Sequence, residues 1–343
     1  MKGAFMKGIP AFLIGLLVLC LITPLYAADK MYRIEVLQVA NIPVFDDCYE
    51  GFVKELANNG ISVGKNLTIN RKIIDFDIEK GGIWKKIGVA MDIKSEASRI
   101  ASVKPDLAVT IGTPATKYAK DKIIGAGIPL VFTAVAFPQA AGCKSLTEAG
   151  PGFTGATLYM NVKDALRIVR LGFPNVKTLG VIYSDDENAV AHADEIKKQG
   201  PPLGFTVLTK EVSKNDPIIP ASQELLNKGV QAFIVPLDTY YAIKGGKASV
   251  EHAAFARKNK IPNISFALSR ENRSGALYIG SEFSVVGSLA AKQAANILLN
   301  GVKPESLPIA RQQDLTILVD EKQFVALGIQ LPMEILKLAK PIQ

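Results

Sequence analysis

Apolar residues along this chain fall in short unbroken runs separated by longer stretches with helical spacing. That alternation predicts strands buried on both faces, with helices between them. Tyr32 to Val39, YRIEVLQV, reads as the first strand, then a loop from Ala40 to Cys48 and a helix whose stripe is Phe52, Val53 and Leu56. Leu67 to Asp75 reads as a second strand, Ile87 to Val103 as a helix, and Leu107 to Ile111 and Leu130 to Val135 as two further strands. Strand and helix in strict turn define an α/β fold with a parallel, doubly wound sheet. Between the last two strands, Gly112-Thr113-Pro114-Ala115-Thr116 combines a permissive glycine, a hydroxyl residue suited to an N-cap and a proline at the first helical position. Backbone N–H groups at such a helix start favour an anion.

From Gly142 to Gly155 glycine and proline become dense and periodicity disappears, which predicts that the first sheet is complete and places a lobe boundary near Gly155. The pattern then restarts. Helices are expected at Val162 to Leu171, up to Gln199, at Ala221 to Asn227 and from about Ser249 to Asn259; strands are expected at Thr178 to Tyr183, Phe205 to Lys210, Ala232 to Val235 and Asn263 to Phe266. The second half echoes the first: Leu107-Ala108-Val109 before Gly112-Thr113-Pro114 is matched by Ala232-Phe233-Ile234 before Leu237-Asp238-Thr239, and Ile128-Pro129 by Ile261-Pro262. Gly275 to Glu282 is one further strand, Phe283 to Asn300 a helix stopped by Gly301, and Leu315 to Val319 with the segments around Phe324 and Ile335 complete the chain. These extra elements predict two Rossmann-like lobes joined by a multi-crossing hinge. The expected first lobe is 29–155 plus about 284–303, and the second is 156–283 plus about 304–343.

The N-terminus changes the picture. Lys2 and Lys7 precede an apolar core from Phe12 to Ile22, and Pro24-Leu25-Tyr26-Ala27-Ala28 offers small residues for cleavage, so residues 1–28 read as a secretory signal peptide. Leu19 stands where a lipoprotein signal needs a small residue just before Cys20, and an uncleaved N-terminal anchor is the other reading. Loss of Lys2 and Lys7 takes the formal charge from +8 to +6, with both signs interspersed. No basic patch with interleaved aromatics is present, which argues against nucleic acid as a partner. Cys48 and Cys143 remain, and export leaves their pairing as a disulfide open.

Catalytic and metal chemistry find little support. His192 and His252 are the only histidines, and neither has a second His or Cys at ligand spacing. No G-x-S-x-G elbow exists, Gly64-Lys65 lacks the rest of a phosphate-binding loop, and Gly125-Ala126-Gly127 precedes a strand instead of following one. Two cysteines could serve a cofactor-independent racemase only if one came from each lobe, and both precede Gly155. The chain is therefore read as a non-enzyme without a cofactor. Binding fits better, because ligands of open α/β sheets sit beyond the carboxyl ends of the strands. There the first lobe places Asn41, Phe45 and Asp46, then Thr113 to Thr116, then Ala136-Phe137-Pro138. The second places Asp185, Asp186 and Asn188, then Asp238, Thr239 and Tyr240, then Ser265 to Ser269. Hydroxyls and a helix start facing carboxylates suit a zwitterion, and Phe45, Tyr49, Phe137, Tyr159, Tyr240 and Tyr241 offer aromatic walls.

Several motifs together resemble the substrate-binding proteins of ABC transporters that bind tryptophan or tyrosine, on the type I periplasmic binding protein fold. They are IGTPATKYAK (Ile111 to Lys120), IPLVFTAVAFP (Ile128 to Pro138), FTG (Phe153 to Gly155), LGVIYSDDENAV (Leu179 to Val190), VPLDTY (Val235 to Tyr240) and GSEFSVVG (Gly280 to Gly287). The resemblance implies that Thr113, Pro114, Ala115 and Thr116 hold an amino-acid carboxylate and that Asp238 and Thr239 lie near its ammonium, with Asn188 and Glu282 at motif positions. The family pattern has Asp where Phe137 stands, and a polar residue then Asp where this chain has Thr157-Leu158-Tyr159. Two polar groups are thus exchanged for two aromatics. The implied function is a monomeric, periplasmic or otherwise extracytoplasmic protein that presents an aromatic or apolar amino acid to a membrane ABC permease. A sensory protein signalling through a membrane receptor is the alternative.

Overall fold

The computed structural model describes residues 30–75, 83–269 and 275–342; the signal peptide read at 1–28 lies outside them. In chain order the elements are β1 (Tyr32–Val39), α1 (Pro43–Asn58), β2 (Leu67–Ile74), α2 (Ile83–Val103), β3 (Leu107–Ile111), α3 (Thr113–Gly125), β4 (Leu130–Val135) and β5 (Phe153–Thr157). There follow α4 (Val162–Gly172), β6 (Thr178–Ser184), α5 (Glu187–Gln199), β7 (Thr206–Val212), α6 (Ile218–Asn227), β8 (Ala232–Val235), α7 (Ile243–Lys258), β9 (Asn263–Ser265) and β10 (Leu277–Gly280). The chain closes with α8 (Phe283–Asn300), β11 (Ala310–Arg311), β12 (Thr316–Val319), α9 (Glu321–Leu327), α10 (Met333–Leu338) and β13 (Lys340–Pro341).

Two sheets result. The first has the order β11-β5-β4-β3-β1-β2 and the second β13-β12-β10-β9-β8-β6-β7. The echo seen in the sequence is an echo of topology, because β4-β3-β1-β2 and β9-β8-β6-β7 are the same arrangement. Central strands β3, β4 and β8 are buried at every position, as their unbroken apolar runs require. Pairing is parallel except between β10 and β12, which are antiparallel.

Two expectations need correction. The first sheet does not end before Gly155: β5 runs through it and pairs with β4. A Cβ on Gly155 would lie 2.3 Å from the Phe132 carbonyl oxygen, so only glycine lets β5 lie so close. Five residues entered from a Gly-Pro stretch carry too little periodicity to be seen. The return of the chain to the first lobe also runs beyond about 303, because β11 pairs with β5 through Ala310 and Arg311.

The chain passes between the sheets after β5, after β10 and after β11. The second and third passages are tied together at Glu282. Its N–H donates to Gln312 Oε1 (2.8 Å), its carboxylate accepts from Thr316 Oγ1 (2.7 Å), and Gln312 Nε2 donates to Thr316 Oγ1 (3.1 Å). Helices α1 and α8 pack closely: Cys48 Sγ donates to the Phe283 carbonyl (3.1 Å) and Ser288 Oγ to that of Gly51 (3.2 Å). Cys48 and Cys143 are both free and buried, and burial pushes each thiol up to about 12.

Candidate ligand site between the lobes

The loops after β1, β4, β6 and β8 converge with the starts of α1 and α8 on a cavity of about 120 Å³. The first lobe supplies an apolar wall of Ile42, Pro43, Val44, Phe45, Ala136 and Phe283. Proline at the first position of α1 sets φ for the helix, and no side chain caps α1 or α8, so two positive helix ends lie at this wall. Ala134 also lines the cavity, from a bulge in β4 where its φ is 56°.

The second lobe supplies the polar wall, Asp186, Asn188, Asp238 and Thr239, from the loops after β6 and β8. Asp238 is an N-cap as well as a lining residue: it accepts from the Ser184 N–H (2.6 Å), Ser184 Oγ (2.8 Å) and the Tyr240 N–H (2.9 Å). Burial, and then the charge of Asp186, push its carboxyl up to about 6. Burial opposes the charge on Asp186 too. Lys214 Nζ at 3.0 Å, Thr239 Oγ1 at 2.9 Å and the Asn188 N–H at 3.0 Å overcome it and hold that carboxyl below the ordinary range. Two carboxylates against one lysine leave this wall with a negative balance.

Of the residues expected at the site, Phe45, Ala136, Asn188, Asp238 and Thr239 line the cavity, as do Asp186, Tyr241, Ser265, Ala267 and Ser269. The others lie elsewhere. Asn41 is exposed and its N–H donates to Asp75, while Asp46 is drawn away by an ion pair with Arg71, which lies 4.1 Å over the Tyr49 ring. Thr113, at the start of α3, donates through Oγ1 to Asn188 Oδ1 across the lobes (3.0 Å), and Lys117 pairs with Glu187 there (2.7 Å). The cap of α3 is Gly112, with no side-chain bond. Pro114 is in the first turn, Ala115 is in the core, and Thr116 Oγ1 bonds the Gly112 carbonyl (3.1 Å) and Thr110 (2.9 Å). The start of α3 therefore meets the opposite lobe instead of the cavity.

Phe137 and Tyr159 pack edge to face at 5.7 Å, and Phe137 also lies 5.9 Å from the His192 ring. Tyr240 turns its hydroxyl to the Asp216 carbonyl (2.7 Å). Glu282 is held in the hinge. Neither cysteine lines the cavity, and both histidines are structural: burial lowers each to about 3, His192 Nδ1 accepts from the Leu237 N–H, and His252 Nδ1 pairs with Ser222. Among the described residues no group of three His, Cys, Asp or Glu could hold a metal, and no helix is long and apolar enough to cross a membrane. Sequence reasoning missed Ile42 to Val44 and Phe283, whose signal was the uncapped helix starts, and Asn263 and Tyr278, which had none.

Two α/β lobes of equivalent topology, crossed three times by the chain and enclosing a cavity at their strand ends, define the type I periplasmic binding protein fold. Solved structures share it: a conserved domain protein from Vibrio cholerae (24% identity, 92% of this chain and 100% of that chain, TM-score 0.76) and an ABC domain in complex with L-Trp from Streptococcus pneumoniae (24%, 90% and 100%, TM-score 0.74). The profile of the family described as ABC transporter substrate binding protein matches residues 33–342, and the chain belongs to that family. A curated relative, a tyrosine-binding protein of Clostridioides difficile, is 26% identical over 305 residues, covering 88% of this chain and 83% of the relative.

Proposed function

We propose that this protein captures an aromatic amino acid between its lobes and delivers it to a membrane ABC permease outside the cytoplasm. One observation carries the reading: a cavity with an apolar and aromatic wall on one lobe and a wall of negative balance on the other. The ammonium lies toward Asp186 and Asp238. The carboxylate lies toward the uncapped starts of α1 and α8, a different pair of helix ends from the α3 start that the motifs pointed to. The aromatic ring lies among Phe45, Phe283 and Leu158. The relative that binds tyrosine and the structure that holds L-Trp support the same ligand class.

Closure belongs to the same proposal. The lobes rotate about the passages clasped by Glu282, and the Thr113–Asn188 and Lys117–Glu187 contacts join them only when closed, so a ligand touching both walls favours the closed state. Lys117 and Glu187 are partly exposed, which limits their pair to about 1 kcal/mol or less. The ligand, not the latch, therefore supplies most of the closing energy. The chain acts as a monomer in this scheme.

The test is thermal melting of the chain without residues 1–28 against a panel of amino acids. An aromatic amino acid at one hundred times its Kd is expected to add about 2.7 kcal/mol and raise Tm by a few degrees. A shift with aliphatic, acidic or basic amino acids alone would remove the aromatic assignment.

A further inference from the structure

A covered parallel sheet is normally apolar on both faces. The second sheet breaks that rule beneath α7. Phe233 pairs with Asn263, Val235 with Ser265, and Ser265 with Tyr278, and residues paired in register show their side chains on one face. Helix α7 covers that face, with His252 edge-on to Phe233 at 4.6 Å and Phe255 at 6.4 Å. Val235, Asn263, Ser265 and Tyr278 all line the cavity, and Gly245 and Ser249 of α7 line it from above. Beside it, in the first turn of α7, Lys244, Gly245 and Gly246 take left-handed backbone angles (φ 54°, 65° and 75°), and Gly245 lines the cavity. The cavity thus reaches from the cleft to the first residue of β9.

At that inner end Asn263 is 5% exposed, and its Oδ1 accepts no hydrogen bond from the described residues. Leaving such an acceptor buried and unmet is unfavourable, so a ligand group that donates to it is favoured. Neighbouring polar groups are engaged: Ser265 Oγ donates to the Ala267 carbonyl (2.8 Å), and Tyr278 Oη accepts from the Gly275 N–H (2.6 Å). Among the described residues, His192 Nε2 and Ser281 Oγ share this unpartnered condition, but neither lines the cavity.

We propose that Asn263 is a specificity-determining residue: its Oδ1 accepts a hydrogen bond from an N–H or O–H on the side chain of the bound ligand. The cavity then selects aromatic amino acids that carry a ring donor over those that carry none. This rests on the amino-acid reading of the cavity given above. A site built to bond a ligand hydroxyl or N–H rejects the analogue that lacks it, because its own buried polar group is left unpaired.

Calorimetric titration of the wild-type protein with L-tyrosine, L-tryptophan, L-phenylalanine and O-methyl-L-tyrosine tests it. Tyrosine or tryptophan is expected to bind about 10- to 100-fold more tightly than phenylalanine and O-methyl-tyrosine. Asn263→Leu, and Asn263→Ala as a smaller change, are expected to bring that ratio close to unity by weakening the donor-bearing ligand alone. Phenylalanine binding as tightly as the best donor-bearing ligand in the wild type overturns the assignment without any variant having to fold. So does an unchanged ratio in a folded Asn263 variant. Binding of none of the four overturns the amino-acid reading itself, and this inference with it.

Discussion

Asp238→Ala is expected to weaken amino-acid binding by at least about 30-fold, the order expected when one partner of a buried, hydrogen-bonded charge contact is removed. The same change strands the Ser184 N–H, Ser184 Oγ and Tyr240 N–H, which share this carboxylate. Relief of the repulsion with Asp186 partly offsets that loss, so binding should suffer more than folding. The pH dependence separates the two effects. Burial and Asp186 raise the Asp238 carboxyl from 3.8 to about 6, so the folded protein holds this proton more tightly than the unfolded chain. Its contribution to stability is therefore complete below about pH 4 and is lost as pH rises through about 6. Asp186, whose carboxyl is held low, runs the other way, and its contribution is lost only in acid below its ordinary range. An ammonium group favours ionised Asp238. Affinity should thus fall between pH 7 and pH 5 while the unliganded protein gains stability, and Asp238→Ala should abolish both trends. Binding to Asp238→Ala at wild-type strength would remove this carboxylate from the site.

Gly287→Ala is expected to lower stability by about 3 kcal/mol and to weaken binding with it. A Cβ at Gly287 would lie 1.9 Å from the Cys48 carbonyl oxygen, and one at Gly51 would lie 2.1 Å from that of Ser284. These are backbone atoms on facing helices, so no rotamer change relieves the clash. The helices must separate, and overpacking of this kind costs about 1–3 kcal/mol, occasionally more. Alanine would gain back about 1 kcal/mol of helix propensity, too little to reverse the sign. Phe45 on α1 and Phe283 on α8 both line the cavity, so separating the helices also opens the apolar wall. Thermal melting with and without ligand measures both losses. A wild-type Tm for Gly287→Ala would show that α1 and α8 are not in backbone contact.

The two lobes were legible because their buried strands, β3 with β4 and β8 with β9, recur with the same turn chemistry, and the equivalent sheet orders follow. β5 was not, because it starts among glycines and needs Gly155 in its middle. The second-lobe wall was legible for a local reason: Asp238 and Thr239 follow a short apolar strand, where the carboxyl-end rule looks. That rule misled at α3. A helix start that faces the other lobe, with Thr113 bonding Asn188 across the cleft, reads in one dimension like one facing a bound anion. Asn263 was invisible because it opens its strand, and the cavity reaches it past the left-handed turn at Lys244 to Gly246. Glu282 falls in a motif that the structure uses to clasp the hinge.

Ala136 offers the most direct test of where the ligand sits. It is 2% exposed, lines the first-lobe wall and carries no polar group, so enlarging it fills the cavity without removing a charge or a hydrogen bond. Titration of L-tyrosine and L-tryptophan into the wild type and into Ala136→Phe, each checked for a cooperative melt, is the decisive measurement. Saturable binding to the wild type and none to the folded variant is the expected result. Equal binding to both would place the ligand outside this cavity and contradict the account.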